Sequence, residues 1–153
     1  MSNLLQTMID NKLTCYHEGF EDWKDALVAC GQPLMKAGYI TSEYIDAIID
    51  CVEKYGSYIV IAPNIAMPHS TENAKGTLKT GIGFMKVNQA VVFEKEDREK
   101  DARLFFTLVS CNHEDHLANM MQLSELLMNE ELVSELLKVN NDEELLAVAR
   151  KYA

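Results

Sequence analysis

The chain has 153 residues, 48% of them apolar and 25% charged, the balance of one soluble globular domain long enough to bury a core. A formal charge of −10 argues against a nucleic-acid partner, whose phosphates need a basic face. No apolar run approaches the roughly 18 residues that cross a bilayer, no secretion-signal pattern opens the chain, and the four cysteines show no CxxC spacing, so a cytoplasmic protein with reduced thiols is expected.

Leu4, Leu5, Met8 and Ile9 recur at helical spacing and predict a short opening helix. Leu13 to Tyr16 reads as a brief edge strand, closed by a turn at His17-Glu18-Gly19. From Glu21 the stripe Trp23, Leu27, Cys30 and Leu34 marks an amphipathic helix. Pro33 removes one i to i−4 bond from it, which predicts a kink, and Gly38 supplies its stop. Thr41 or Ser42 caps the next helix, whose face is Tyr44, Ile45, Ile48, Ile49 and Val52, and Gly56 ends it.

The stretch SYIVIAPNIAMPHS, Ser57 to Ser70, follows at once. Tyr58, Ile59, Val60 and Ile61 are β-branched or aromatic without a break, which predicts a strand covered on both faces. A turn falls at Pro63-Asn64, and Ile65-Ala66-Met67 is a second short run. Pro68 ends pairing there, because it has no N–H and holds Met67 extended. His69 is thus presented by a rigid apolar segment while its ring stays reachable. The run STENAKG after it is polar and turn-like.

Leu78 to Val87 alternates with period two and predicts a strand, in which Gly81 and Gly83 leave room for another element to approach. Ala90 to Phe93 reads as a partner strand after a turn at Asn88-Gln89. Glu94 to Asp101 is charged throughout and reads as a solvated loop. Leu104 to Cys111 is the most apolar run and the candidate central strand. Helices are expected at Asp115 to Met128, Glu130 to Lys138 and Asp142 to Arg150, with Asn129 and Asn141 as N-caps and Asn112 as a candidate cap for the first. Strands interleaved with helices make residues 1–153 a single α/β (α+β) domain with a mixed central sheet flanked by helices.

Four histidines carry the candidate chemistry, and they are unequal. His17 is isolated. His69 follows the rigid segment. His116 falls at the end of a first helical turn if Asn112 is the cap, close to free N–H groups that suit an anion. Cys111, His113 and His116 offer zinc-ligand types in a Cys-x-His-x-x-His spacing, but without a fourth ligand. Gly81-Ile82-Gly83 is not followed by GK[ST] and is no phosphate loop. No Ser-His-Asp or Cys-His order assembles, and no cofactor is implied.

At IVIAPNIAMPHS and CNHEDHLANMMQLSELL the sequence resembles the mannitol/fructose-type enzyme IIA domains of the bacterial phosphotransferase system. The likeness runs from about Leu4 to the last helix and includes KTGIGFMKV, VVF and ARLFFTLVSCNHEDHL. The stretch from Asp22 to His69 looks most like the ascorbate-type branch. The resemblance implies a phosphoryl carrier. His69, in the PH motif, would accept phosphate from phosphohistidine of the phosphocarrier HPr and pass it to a cysteine of an enzyme IIB, with a membrane enzyme IIC coupling the phosphate to sugar uptake. The family's second histidine falls on His116, not His113.

Mannitol-type members carry an Arg-Glu pair in the helix before the active strand; here Asp50-Cys51-Val52-Glu53-Lys54 holds no arginine, which favours ascorbate or a related sugar or polyol. Asn64 stands where a glycine is frequent, and asparagine also tolerates positive φ. A neutral imidazole is nucleophilic near pH 7. If a backbone carbonyl fixes Nδ1–H, Nε2 is the attacking atom. His116, backbone N–H groups and the hydroxyls of Ser70 or Thr71 would hold the phosphate oxygens. Met67 and Met85 are candidates for the face that partners visit. Two other readings stay open, a stand-alone regulator that signals by its phosphorylation state and a metal-binding protein. A homodimer is allowed and direct membrane insertion is not expected.

Overall fold

In the computed structural model, which describes residues 3–153, the strands are Thr14–His17 (β1), Val60–Ala62 (β2), Asn64–Ala66 (β3), Gly81–Val91 (β4) and Ala102–Val109 (β5). They form one sheet in the order β1-β4-β5-β3-β2. The most apolar run of the sequence therefore lies in the middle. β5 pairs antiparallel with β4 and parallel with β3, and β1 runs parallel to β4, so the sheet is mixed as expected.

The helices are Leu4–Asp10 (α1), Trp23–Lys36 (α2), Ser42–Tyr55 (α3), His113–Leu127 (α4), Glu130–Leu136 (α5) and Asp142–Lys151 (α6). Thr41, Asn112, Asn129 and Asn141 cap their helices as anticipated, each side chain accepting an otherwise orphaned backbone N–H. Gly38, at φ +84°, ends α2; Tyr39 N–H donates back to the Leu34 carbonyl at 2.8 Å, closing the helix with a left-handed cap.

Period-two alternation in the central strands separates one core from another rather than core from water. Met85 and Val87 of β4 join Phe105 and Val109 of β5 beneath α2 and α3. Ile82 and Phe84 join Leu104, Phe106 and Leu108 on the opposite face, against side chains from α1, α4, α5 and α6. The two glycines do leave room: a Cβ on Gly81 would stand 2.6 Å from the Tyr39 ring, and one on Gly83 3.2 Å from Leu34. Lys86 is buried on this strand, its amine donating to the side-chain oxygens of Asn88 and Asn140.

Several expectations need correction. Tyr58 to Ile61 is not a doubly covered strand. β2 is three residues long and outermost in the sheet, so Ile61 remains 47% exposed, and the apolar series serves a hairpin instead. The hairpin turns at Pro63, with Asn64 at φ +71° as its residue type permits. β4 is one strand from Gly81 to Val91, with no turn at Asn88-Gln89. The chain stays extended because Gln89 N–H donates to Glu18 at 2.8 Å, while the register against β5 shifts between Lys86 and Val91. Leu78 lies outside the strand, its N–H turned to the Tyr39 carbonyl. His17 ends β1 rather than opening a turn. Arg98–Lys100 makes a 3-10 turn within the charged loop. Met67 and Met85 are both core residues, so neither forms a partner-facing surface.

Candidate active site

The β2–β3 hairpin delivers His69. Val60 pairs with Ala66, and Met67 N–H donates to the Ile59 carbonyl at 2.7 Å, so the chain reaches Pro68 still fastened to the hairpin. Pro68 cannot donate, but its carbonyl accepts from Leu108 N–H of β5 at 2.9 Å. His69 is thereby tied to both the edge hairpin and the central strand.

The ring of His69 is fixed from two sides. Its Nδ1 stands 2.7 Å from the Met67 carbonyl, which can only accept, so that nitrogen carries the proton. Nε2 is left with its lone pair. Tyr58 stands edge-on to the imidazole, with ring centroids 5.3 Å apart, and its hydroxyl donates to the His69 carbonyl at 2.6 Å. Burial holds the His69 pKa below the ordinary histidine value. The Met67 hydrogen bond opposes that shift, and the nearby His116 adds to it.

His116 comes from the first turn of α4. The Asn112 side chain accepts from Asp115 N–H at 2.8 Å, and His116 N–H donates to the Asn112 carbonyl at 3.0 Å. Thr80 stiffens this helix start by donating to Asp115 at 2.6 Å while accepting from Cys111 N–H. The result places the rings of His69 and His116 with centroids 6.2 Å apart and planes inclined by 35°. The two histidines singled out from the sequence are neighbours in space, although 47 residues apart by numbering.

Ser70 and Thr71 differ. Ser70 N–H donates to the Tyr44 hydroxyl at 3.2 Å, and its Oγ lies 3.8 Å from Cys51 Sγ. Thr71 is exposed; its carbonyl accepts from Ala74 N–H in the turn that follows. His113 stands apart from the pair and contacts Glu72 at 3.2 Å, pinning the turn after His69 to the start of α4. Among the described residues, no three His, Cys, Asp or Glu side chains converge as metal ligands, so Cys111, His113 and His116 do not assemble a site.

Three further side chains belong here. Tyr44 is buried, its hydroxyl donates to the Leu108 carbonyl at 2.6 Å, and burial pushes its pKa up to about 12. It appears in the sequence only as part of a helix face. Tyr58 reads as strand filling, yet a hairpin turning at Pro63 folds residue 58 back beside residue 69. Cys51 lies within the stretch where an arginine was sought, so α3 offers a thiol and a phenol to this end of the site.

Residues 7–152 match the family described as phosphoenolpyruvate-dependent sugar phosphotransferase system, EIIA 2. The mannitol-specific cryptic phosphotransferase enzyme IIA component of Escherichia coli (strain K12) is 33% identical over 125 residues, 82% of this chain and 83% of the relative. A solution structure under that same description has a TM-score of 0.82 at 29% identity, covering 98% of this chain and 99% of that one. The ascorbate-specific PTS system EIIA component of Mycoplasma pneumoniae is 31% identical over 134 residues, 86% of this chain and 82% of the relative. The mannitol enzyme IIA of E. coli, solved in complex with phosphorylated enzyme IIB, shares the fold with a TM-score of 0.76 at 24% identity, covering 92% of this chain and 95% of that one.

Proposed function

The chain belongs to the EIIA 2 family of the phosphoenolpyruvate-dependent sugar phosphotransferase system and so serves as a phosphoryl carrier, and we propose that it carries the phosphoryl group on His69. The observation that supports this reading is the Nδ1 contact to the Met67 carbonyl, which leaves Nε2 as the one nucleophilic nitrogen of a neutral ring. Nε2 attacks the phosphorus of phosphohistidine in HPr; the new P–N bond forms as the donor's P–N bond breaks and its electron pair returns to the donor ring. Transfer onward reverses the roles, with a cysteine thiolate of enzyme IIB attacking and Nε2 leaving.

Such a transfer is mainly positioning and charge stabilisation. Tyr58 and the Met67 carbonyl orient the ring. His116, whose ring neighbours that of His69, and the hydroxyls of Ser70 and Thr71 are the groups assigned to hold the phosphate oxygens. The substrate proposed for the whole system is ascorbate or a related sugar or polyol, which a membrane enzyme IIC would move. The absence of arginine between Asp50 and Lys54 supports that choice over mannitol. No helix among the described residues is long and apolar enough to cross a membrane, in keeping with work in the cytoplasm.

Incubation with phospho-HPr tests the assignment. The wild-type protein should gain one phosphoryl group whose phosphorus resonance marks the Nε2 adduct, and His69→Ala should gain none. Uptake by His69→Ala overturns the role of His69. Passage of the label to a IIB cysteine identifies a transport component, whereas a phosphorylated protein that keeps its label is a regulator.

A further inference from the structure

At the sheet edge opposite the hairpin of His69, β1 has a partner on one side only. Leu13 accepts from Phe84 N–H at 2.9 Å, and the residues that bond a parallel neighbour alternate along a strand. The main-chain N–H and C=O groups of Thr14 and Tyr16 therefore point outward. Beside this edge runs a groove whose far wall is the stripe Ala29, Gln32, Pro33 and Lys36 of α2, at i, i+3, i+4 and i+7. Ala29 and Pro33 are short enough to leave the groove open. Pro33 also cannot donate to the Ala29 carbonyl, which accepts weakly from the Cys15 thiol at 3.8 Å.

The charge of this groove is opposite to that of the molecule. The cations Lys12 and Lys36 line it together with the imidazole of His17, and none of its ten lining residues is Asp or Glu, although the whole chain carries −10. Asp142 is close by, but its carboxylate accepts from the hydroxyls of Thr14 and Tyr16, away from the face where Cys15 meets α2. Burial keeps the Cys15 thiol protonated, with a pKa near 12, so it adds no negative charge.

We propose that the β1 edge and its cationic groove bind an extended acidic segment of another protein, which adds to the sheet as a sixth strand beneath the Ala29–Lys36 stripe. Outward N–H and C=O groups on β1 supply the main-chain bonds, and alternate acidic side chains reach Lys12, Lys36 and His17. A second copy of this chain is the less suitable occupant, because two-fold pairing of the edge would set the same cations against each other. The edge lies across the sheet from His69, so a segment bound here leaves the phosphoryl site open to its partners.

Fluorescence polarisation with a labelled peptide of alternating valine and glutamate tests this on the full chain. The wild-type protein should bind it saturably and a valine-lysine peptide at least tenfold more weakly. Lys12→Glu and Lys36→Glu, separately and together, should weaken the acidic peptide at least tenfold while uptake of phosphate at His69 is unchanged. The amides of Thr14 and Tyr16 should gain hydrogen-exchange protection on peptide addition, a readout that needs no variant. The proposal is overturned by equal affinity for both peptides, by unaltered exchange at Thr14 and Tyr16, by displacement of the peptide with equimolar inorganic phosphate, or by self-association through this edge.

Discussion

In the role proposed for His69, no carboxylate among the described residues bonds its ring as a base, and its surroundings make one unnecessary. The Met67 carbonyl fixes the proton on Nδ1, and burial disfavours the charged ring, so the nucleophilic form persists below the pH at which an ordinary histidine protonates. An NMR titration of the imidazole should therefore give a midpoint below about 6.5; a midpoint at or above that value contradicts the neutral-ring mechanism. The sign for stability follows from linkage. A pKa lower in the folded than in the unfolded chain means that the unfolded state binds more protons. The fold is fully favoured above about 6.5 and loses this contribution as pH falls from there to the folded-state midpoint. For His116 the proposed task is to hold phosphate oxygens, and His116→Ala should leave uptake possible but slow transfer in at least one direction, on the order of 100-fold by analogy with loss of an oxyanion donor. Rapid-quench measurement of both half-reactions decides it, and unchanged rates in both remove His116 from the site. His69 is legible from the sequence because it follows a proline at the end of a rigid apolar run, whereas the asparagine cap alone leaves His116 an ordinary first-turn residue and only the family resemblance singles it out. Tyr44, Tyr58 and Cys51 are not legible, since their contribution comes from the register of a hairpin and the facing of a helix.

Boundaries that depend on a residue's own chemistry are the elements that sequence reading recovers. Thr41, Asn112, Asn129 and Asn141 bond their own following N–H groups, and Gly38 and Gly56 take positive φ, so these helix ends announce themselves locally. What local reading misses is decided across strands. β4 runs through Asn88-Gln89 because Glu18 and a shifted β5 register meet it there, and no signal within the segment reports either neighbour. The apolar series at Tyr58 reads as a buried strand because apolar runs do not distinguish a strand covered on both faces from an edge hairpin that supports a site. The glycines of β4 are an intermediate case: they signal close approach but not what approaches. Gly81 is where Tyr39 lies against the strand, and Gly81→Val should cost about 1–3 kcal/mol through overpacking. The urea midpoint should fall at an unchanged slope. A midpoint equal to wild type would show that Tyr39 can step aside.

At the scale of the whole molecule, a carrier must present one histidine to two different proteins in succession, and the surface around it has to suit both. The methionines proposed from sequence for that purpose are absorbed by the two cores, Met67 on one face of the sheet and Met85 on the other. The exposed apolar side chains near the site come instead from its rim. Tyr58 contacts His69, Leu117 follows His116 and is 53% exposed, and Met121 lies one turn further along α4 at 65%. These are the sizes and shapes that anchor an interface when a partner covers them, and they cost little while they stand in water. Placing aspartate at both Leu117 and Met121 should therefore separate docking from chemistry. The double variant should need about tenfold more phospho-HPr or enzyme IIB to reach half its maximal transfer rate, corresponding to about 1.4 kcal/mol of lost association. Its rate at saturating partner and its urea midpoint should stay at the wild-type values, since neither side chain contributes to the core. Unaltered concentration dependence toward both partners would mean that docking lies elsewhere on the surface. A fall in the saturated rate would mean instead that α4 acts on the phosphoryl group itself as well as on the partner.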